Sequence, residues 1–284
     1  MPPESARTEP VISIVTPSYE QGSFIERTIE SVLSQTYRHI EYIVVDGGST
    51  DGTVDILESY DDAFRWVSEP DRGQSDAINK GWSLSSGDVV TWLNSDDLLA
   101  DPDVVKRVAG VFAAEPAADI VYGDFEVVGI HDEHLFTRKQ APFHPHALRF
   151  ANNFLVPSAF IRRGLLERIG HLDEELHWVM DLDLWLRALN AGATFHMLPT
   201  PMWKHRFHSG SNTVGGRSEM VKEYLSIQRC YRPSWLQTLG RSGEILARSY
   251  GMTLRMWTQI LKLVHRHHVD NLAWSWLIRH SYGS

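Results

Sequence analysis

The sequence predicts an α/β protein in which a mostly parallel sheet fills the first half of the chain. Short runs rich in Val and Ile alternate there with segments whose apolar residues recur every three or four positions, the spacing of one helix face. No hairpin turn separates neighbouring strands, so right-handed crossovers would join them in parallel. The chain has 284 residues, 43% hydrophobic and 22% charged. This composition excludes a disordered chain, a collagen and a coiled coil.

The first predicted strand ends at Pro17 and the second at Asp46, both turn-forming residues. Ile25, Ile29 and Val32 mark the buried face of the first helix. We interpret residues 10–124 as a Rossmann-like half, in which ligands collect at the carboxyl ends of the strands. The predicted strands are 11–16, 40–45, 64–67, 88–93 and 120–122. The predicted helices are 25–33, 53–60, 75–84 and 102–114.

The second half is less regular, and we expect residues 125–216 to complete the same domain. Leu182, Trp185 and Leu189 keep helical spacing. From Glu219 onward the pattern is helical, which predicts a helical C-terminal extension over residues 217–284. The other expected elements are a loop or edge hairpin at 131–145, strands at 155–161 and 195–198, and a loop at 204–216.

Cysteine content and charge bear on location. The single cysteine, Cys230, forms no internal disulfide, which favours a reducing compartment. Residues 1–10 lack the apolar stretch of a signal peptide, and no run of 18 apolar residues follows, so we expect a cytoplasmic protein. The net charge is −9, yet residues 200–284 carry 12 Lys and Arg against 4 Asp and Glu.

The basic, tryptophan-containing tail at 242–284 has two interpretations that stay open. It is typical of a segment lying on the inner face of a membrane, which would make the protein peripheral. It is equally typical of helices packed on the catalytic domain or on a second subunit, which would make a homo-oligomer. No nucleic-acid-binding module is recognised, so nucleic acid is not an expected partner.

Carboxylates follow two of the predicted strands. Asp46 follows one, and the adjacent Asp96 and Asp97 follow another. A single Asp at a strand end is usually a turn or cap residue, but adjacent carboxylates repel one another unless a positive charge lies between them. A divalent cation with oxygen ligands, Mg²⁺ or Mn²⁺, would provide it. The loop at 47–52 has neither the P-loop nor the dinucleotide fingerprint, which argues against a nucleotide kinase and a nicotinamide enzyme.

Five segments in a fixed order resemble the family 2 glycosyltransferases, over about residues 11–213. The segments are Thr16-Pro-Ser-Tyr19, Asp46-Gly-Gly-Ser-Thr-Asp51, Asp71-Arg-Gly73, Asp76-Ala-Ile-Asn-Lys-Gly81 and Asn94-Ser-Asp-Asp97. The resemblance implies a GT-A fold, an inverting reaction and a nucleotide-sugar donor bound by residues 10–124. The Gln-x-x-Arg-Trp element of processive synthases is missing, so the resemblance implies transfer of one sugar per encounter.

The resemblance also implies roles for single residues. Asp46 would accept a hydrogen bond from a uracil-like N3–H, Arg72 would face the base or the phosphates, and Asp96 would touch the ribose or donor sugar. Asp97 would bind the Mn²⁺ or Mg²⁺ that bridges the diphosphate. The implied nucleotide-sugar-binding set is Thr16, Pro17, Tyr19, Glu20, Asp46, Gly48, Arg72, Asp76, Lys80, Asn94, Ser95 and Asp96.

Two further residues lie downstream of this set. Asp181 stands where the family has its general base, although Met180 replaces the usual Glu; the simpler interpretation is a helix N-cap. His208, in an Arg-x-His-x-Gly-like element, would complete the metal site, with His205 as the competing candidate.

We therefore expect an inverting, metal-dependent glycosyltransferase that uses a nucleoside diphosphate sugar, with UDP-sugar favoured. It would act on a glycan or lipid-linked acceptor in cell-surface glycan or glycolipid synthesis. The alternatives are a non-catalytic nucleotide-sugar-binding subunit and a nucleotidyltransferase that makes sugar nucleotides.

Overall fold

A computed structural model describes residues 9–140, 142–145, 148, 159–208 and 217–231. Its strands are β1 (Ile12–Ser18), β2 (Ile40–Asp46), β3 (Arg65–Ser68), β4 (Val89–Trp92), β5 (Leu98–Leu99), β6 (Ile120–Val128), β7 (His134–Arg138), β8 (Phe160–Arg162) and β9 (Phe195–Arg206). Its helices are α1 (Ile25–Leu33), α2 (Thr53–Glu58), α3 (Gln74–Leu84), α4 (Val104–Ala114), α5 (Arg163–Ile169), α6 (Met180–Asn190) and α7 (Arg217–Cys230).

One mixed sheet forms the centre of this part of the chain. Its strand order is β3-β2-β1-β4-β8-β6-β9-β5, and β7 pairs with β6. β1 to β4, which correspond to the first four predicted strands, are all parallel, as predicted. The rest of the sheet adds antiparallel pairs through β8, β5 and β7, while β9 runs parallel to β6. The predicted α/β sheet is confirmed.

The central parallel strands β1 and β4 are fully buried, whereas the edge strand β3 is not. All seven residues of β1 are buried, which explains its continuous apolar run. Helix α3 packs on β1 so closely that a Cβ at Gly81 would collide with the side chain of Val15. Helix α1 buries Ile25, Ile29 and Val32, the residues whose spacing predicted the helix.

One predicted element of the second half differs from the structure. Residues 204–206 were expected in a loop, yet they belong to β9. The strand extends because β6 pairs with it along one side and β5 with its end on the other, and such pairing overrides local composition. The region 131–145 forms the hairpin alternative, with β7 folding back on β6. The short β5 and α5 were not predicted.

Several expectations concern residues outside the described part. These are part of the strand at 155–161, most of the loop at 204–216 and the whole tail at 242–284. Within the described part, α7 supplies the helix expected from Glu219 onward. None of the described helices is both long and apolar enough to cross a membrane.

Candidate active site

The loop after β2 is built around Asp46, which is fully buried. Its Oδ2 accepts hydrogen bonds from the backbone N–H groups of Gly48 (3.0 Å) and Ser49 (2.9 Å) and from the hydroxyl of Ser68 (2.7 Å). Its Oδ1 accepts the Ser49 hydroxyl at 2.5 Å. Gly48 has φ +84°, a left-handed conformation that favours glycine. Asp46 thus shapes the loop, and a nucleobase N3–H would have to share an oxygen already bonded.

The segment after β1 divides into buried and exposed residues. Thr16 is buried, and its hydroxyl accepts a hydrogen bond from Tyr42 at 3.1 Å, while Pro17 is also buried. The carboxylate of Glu20 accepts the N–H (2.9 Å) and the hydroxyl of Thr50. Tyr19 is 63% exposed. Of this segment, Tyr19 is therefore the residue whose ring is open to solvent.

Charged residues around the start of α3 form ion pairs. The backbone N–H of Arg72 donates to Asp76 Oδ2 at 3.0 Å, and its guanidinium contacts Asp76 and Glu174. These carboxylates raise the pKa of Arg72. Lys80 pairs with Glu69 at 2.7 Å. The Arg72–Glu174 pair connects the predicted nucleotide half to the loop that precedes α6.

Two acid–histidine pairs lie side by side where β9 ends. Oδ1 of Asp97 lies 3.0 Å from His205 Nδ1 and also accepts the backbone N–H of Arg206 at 3.0 Å. Oδ2 of Asp97 accepts a hydrogen bond from Asn94 at 3.2 Å. His208 Nε2 lies 3.0 Å from Asp96 Oδ2. The structure thus places His205 on Asp97, and His208 on Asp96.

The charge of His205 follows from this arrangement. Burial lowers the pKa of His205, but the neighbouring Asp97 and Asp96 carboxylates outweigh burial and raise it to about 9. The imidazole is therefore positively charged at neutral pH. The positive charge that the adjacent carboxylates require is supplied, at least in part, by the chain itself.

A buried network that the sequence did not indicate supports these pairs. The guanidinium of Arg206 donates to Asp132 Oδ1 (2.6 Å) and lies 5.1 Å from the centre of the Phe24 ring. The Phe24 ring in turn packs on His208, with ring centres 4.6 Å apart. Asp132 also pairs with Arg27. Arg206 belongs to the Arg-x-His element, the one signal that could have drawn attention to it.

Asp181 lies in the first turn of α6, and it is not the N-cap residue, which is Val179. Burial raises the pKa of Asp181 to about 6, against the hydrogen bond from the Leu182 N–H, which lowers it. Asp183 behaves differently. Its Oδ2 accepts from Arg187 at 2.7 Å and its Oδ1 from the Tyr231 hydroxyl at 2.8 Å. Asp181 is the carboxylate suited to proton transfer, whereas Asp183 is part of a structural cluster.

The first residues of α3 contact both Met180, the residue before Asp181, and Asn94, which bonds to Asp97. Gln74 donates to Asn94 at 2.8 Å, and Asn94 donates to Asp97. The next residue, Ser75, contacts the sulfur of Met180 at 2.8 Å. Asn94 and Met180 therefore both contact the start of α3.

Parallel strands with crossover helices, and an acidic cluster where they end, define a GT-A glycosyltransferase architecture. The profile of the family described as "Glycosyl transferase family 2" matches residues 13–170, more than half of the chain. The protein belongs to this family.

Relatives carry related names. An uncharacterized glycosyltransferase of Mycobacterium tuberculosis is 34% identical over 187 residues, covering 63% of this chain and 69% of the relative. A Mycobacterium bovis protein named PGL/p-HBAD biosynthesis glycosyltransferase is 28% identical over 222 residues, covering 76% of this chain and 83% of the relative.

Solved structures share the fold at low identity. S. aureus TarS residues 1–349 in complex with UDP-GlcNAc superposes with a TM-score of 0.62 at 18% identity, over 78% of this chain and 65% of that one. The match spans only 38% of a longer TarS structure. A mannosyltransferase from Pyrobaculum calidifontis in complex with GDP-Man and Mn²⁺ gives a TM-score of 0.58 at 16% identity, over 96% of this chain and 80% of that one.

Proposed function

We propose that the protein transfers one sugar from a nucleoside diphosphate sugar to an acceptor hydroxyl, with inversion at the anomeric carbon. The observation that carries this proposal is the state of Asp181, a carboxyl whose pKa burial raises to about 6. The residue before it, Met180, contacts Ser75 of α3, and the neighbouring Gln74 donates to Asn94 of the Asn94–Asp97 cluster. A general base works best with a pKa near the working pH.

In the proposed reaction, the carboxylate of Asp181 accepts the proton of an acceptor hydroxyl. The hydroxyl oxygen attacks the anomeric carbon as the bond from that carbon to the donor diphosphate breaks on the opposite face. An α-linked donor therefore gives a β-linked product. A sugar hydroxyl is a poor nucleophile at neutral pH, so it needs a base within hydrogen-bond reach.

The raised pKa of Asp181 predicts the pH dependence of the reaction. Asp181 is protonated and inactive as a base below about pH 6, so kcat/KM should rise with pH through about 6 and then level off. An ordinary aspartate would give a midpoint near about 4. We would measure kcat/KM between pH 4.5 and 8.5 in buffers of constant ionic strength. A rate already level at pH 5 would contradict the assignment of Asp181 as the base.

We propose a divalent cation at the acidic cluster from the chemistry of its donor atoms, although the described residues contain no group of three or more His, Cys, Asp or Glu side chains arranged to hold a metal ion. Carboxylate oxygens and imidazole nitrogens are donors that Mn²⁺ accepts. Oδ2 of Asp97 accepts one hydrogen bond, from Asn94, which leaves room for another partner. Asp97 and His208 would hold the ion, with Asp96 beside them. When bound, it would supply positive charge for the departing diphosphate.

We propose a UDP-sugar as donor, with a TDP-sugar second. Uracil and thymine share an N3–H that Asp46 could accept at the carboxyl end of β2, whereas guanine and adenine differ in shape and edge. Isothermal calorimetry with UDP, TDP, GDP and ADP tests the order, and we expect UDP to bind most tightly. Tightest binding of GDP would contradict it.

The Tyr19→Ala variant tests whether Tyr19 binds the nucleotide by stacking on its base. Every base offers a face to an aromatic ring, so Tyr19→Ala should weaken all four nucleotides by a similar factor, about tenfold, and leave their order unchanged. Loss of affinity for one nucleotide alone would show that Tyr19 does not act by stacking.

We propose a glycan or lipid-linked acceptor, supported by the relative named for PGL/p-HBAD biosynthesis.

A panel of nucleotide sugars with Mn²⁺ and without acceptor tests the transferase proposal against its alternatives. Slow release of free sugar and nucleoside diphosphate is expected. Release of pyrophosphate on incubation of a nucleoside triphosphate with a sugar 1-phosphate would identify a nucleotidyltransferase instead.

A further inference from the structure

Helix α7 contacts the loop that leads into α6, the helix that carries the proposed base. The carboxylate of Glu223 accepts the backbone N–H of His177 on Oε1 (3.2 Å) and that of Trp178 on Oε2 (2.8 Å). These residues lie 46 and 45 positions away in sequence, so the contact is a tertiary one. Because Trp178 is only three residues before Asp181, Glu223 holds the chain just where it enters α6.

The same loop is held from its other side by α3. Asn79 exchanges two hydrogen bonds with the backbone of Leu172, at 2.9 and 3.0 Å. The Ser75 hydroxyl lies 3.2 Å from the carbonyl oxygen of Leu176. Residues 172–176 are thus fixed to α3, whereas residues 177 and 178 are fixed to α7.

A second contact ties the end of α7 to α6. The hydroxyl of Tyr231 donates to Asp183 at 2.8 Å, one turn away from the first residues of the helix. Ile227 and Gln228, which lie on α7, are buried. Tyr231, the residue after α7, therefore bonds directly to the helix that carries the proposed base.

The loop at 172–178, which α3 and α7 hold, also forms one wall of a groove of about 200 Å³, opposite the first residues of α3. Trp178 and Glu174 line this wall, and Arg72 and Ser75 line the other. Since Ser75 touches Met180, the groove lies next to the start of α6.

We infer that Glu223 is a positioning residue, which sets the place of Asp181 and of the groove wall by accepting two backbone hydrogen bonds. The inference rests on the proposed function, because it requires Asp181 to be the base. A base displaced by about 1 Å costs about a hundredfold in rate, so partial loosening of the clamp should be visible in turnover.

Glu223→Gln tests the role. An amide has one acceptor oxygen, so its NH₂ group cannot accept the second backbone N–H. In nucleotide-sugar hydrolysis with water as acceptor, we expect kcat to fall about tenfold while the KM for the nucleotide sugar changes less than twofold. Amide hydrogen exchange over residues 173–180 should become about tenfold faster.

Glu219→Gln is the matched control, because Glu219 lies one turn earlier on α7, is exposed and contacts Lys222 at 3.9 Å. It should leave kcat, KM and exchange unchanged. Tyr231→Phe, which removes one hydroxyl, should lower kcat by a smaller factor at unchanged KM. UDP affinity measured by calorimetry confirms that each variant is folded.

The outcomes are distinguishable. Wild-type kcat in Glu223→Gln, with a wild-type enzyme that is active, overturns the positioning role alone. Equal effects of Glu223→Gln on kcat, nucleotide-sugar KM and UDP affinity would show a general structural role and also overturn it. A wild-type protein that hydrolyses or transfers from no nucleotide sugar overturns the proposed function, and the inference with it.

Discussion

Asp181→Asn should reduce the turnover of sugar transfer by about a hundredfold or more, because it removes the base and keeps the shape of the side chain. The affinity for UDP should stay within twofold of wild type, since Asp181 is not among the residues proposed to bind the nucleotide. Turnover is measured as release of nucleoside diphosphate, and affinity by calorimetry. The loss should be in kcat, because proton transfer belongs to the transition state.

Asp183→Asn is the control for this prediction. Asp183 is 6% exposed and is bonded to Arg187 and Tyr231. Removing its charge should lower the free energy of unfolding by about 2 kcal/mol, while folded protein keeps most of its turnover. If Asp183→Asn lost turnover and Asp181→Asn kept it, the base would be misassigned.

The stereochemistry of the product provides an independent check. A single displacement inverts the anomeric carbon, so proton NMR of the first product from an α-linked donor should show a β-linkage. Retention would exclude Asp181 as the base of a direct attack, whatever the rates of the variants.

Periodicity predicted the first half of the fold because that half is built from local signals. Most parallel strands are short buried runs and the crossover helices have one apolar face, so pattern and structure agree from β1 to α4 except at the two-residue β5. In the second half, hydrogen-bond pairing between strands determines where a strand ends. Residues 204–206 have no strand signal of their own, and they extend β9 because β6 and β5 flank them.

The candidate site, too, could be predicted only in part from the sequence. The motifs predicted that Asn94, Asp96 and Asp97 lie together, and that a histidine of β9 or the following residues joins them. They did not predict which histidine meets which acid, because 108 to 112 residues separate the partners and the chain has 14 histidines. Glu223 had no signal at all, since its partners are backbone N–H groups that any sequence provides.

Asp97→Asn should lower transfer by about a hundredfold or more, because a carboxylate that would hold the cation becomes a neutral amide. Asn is preferable to Ala here. Asp97 is 3% exposed and is bonded to His205 and to the Arg206 N–H, so Ala would leave a buried imidazolium without its partner. The amide oxygen of Asn can still accept from Arg206 and preserve the end of β9.

Chelation should have the same effect as Asp97→Asn. Excess EDTA should abolish transfer by the wild-type protein, and added Mn²⁺ should restore it. Titration calorimetry in the presence of UDP should show Mn²⁺ binding to the wild type and at least tenfold weaker binding to Asp97→Asn. Asp101→Asn is the matched control. Asp101 lies four residues on and is paired with Arg107, so its loss should affect neither Mn²⁺ affinity nor turnover.

The two acid–histidine pairs also predict what should happen if transfer does not require a metal. If full transfer persisted in EDTA, the charge on the departing diphosphate would have to be neutralised by the chain, and a metal role for Asp97 would be wrong. The imidazolium of His205, held positive by Asp97 with a pKa raised to about 9, is then the nearest positive charge to the two carboxylates. If transfer needs no metal, His205→Gln should lower turnover as strongly as Asp97→Asn does. If transfer needs the metal, the His205→Gln variant should still depend on Mn²⁺.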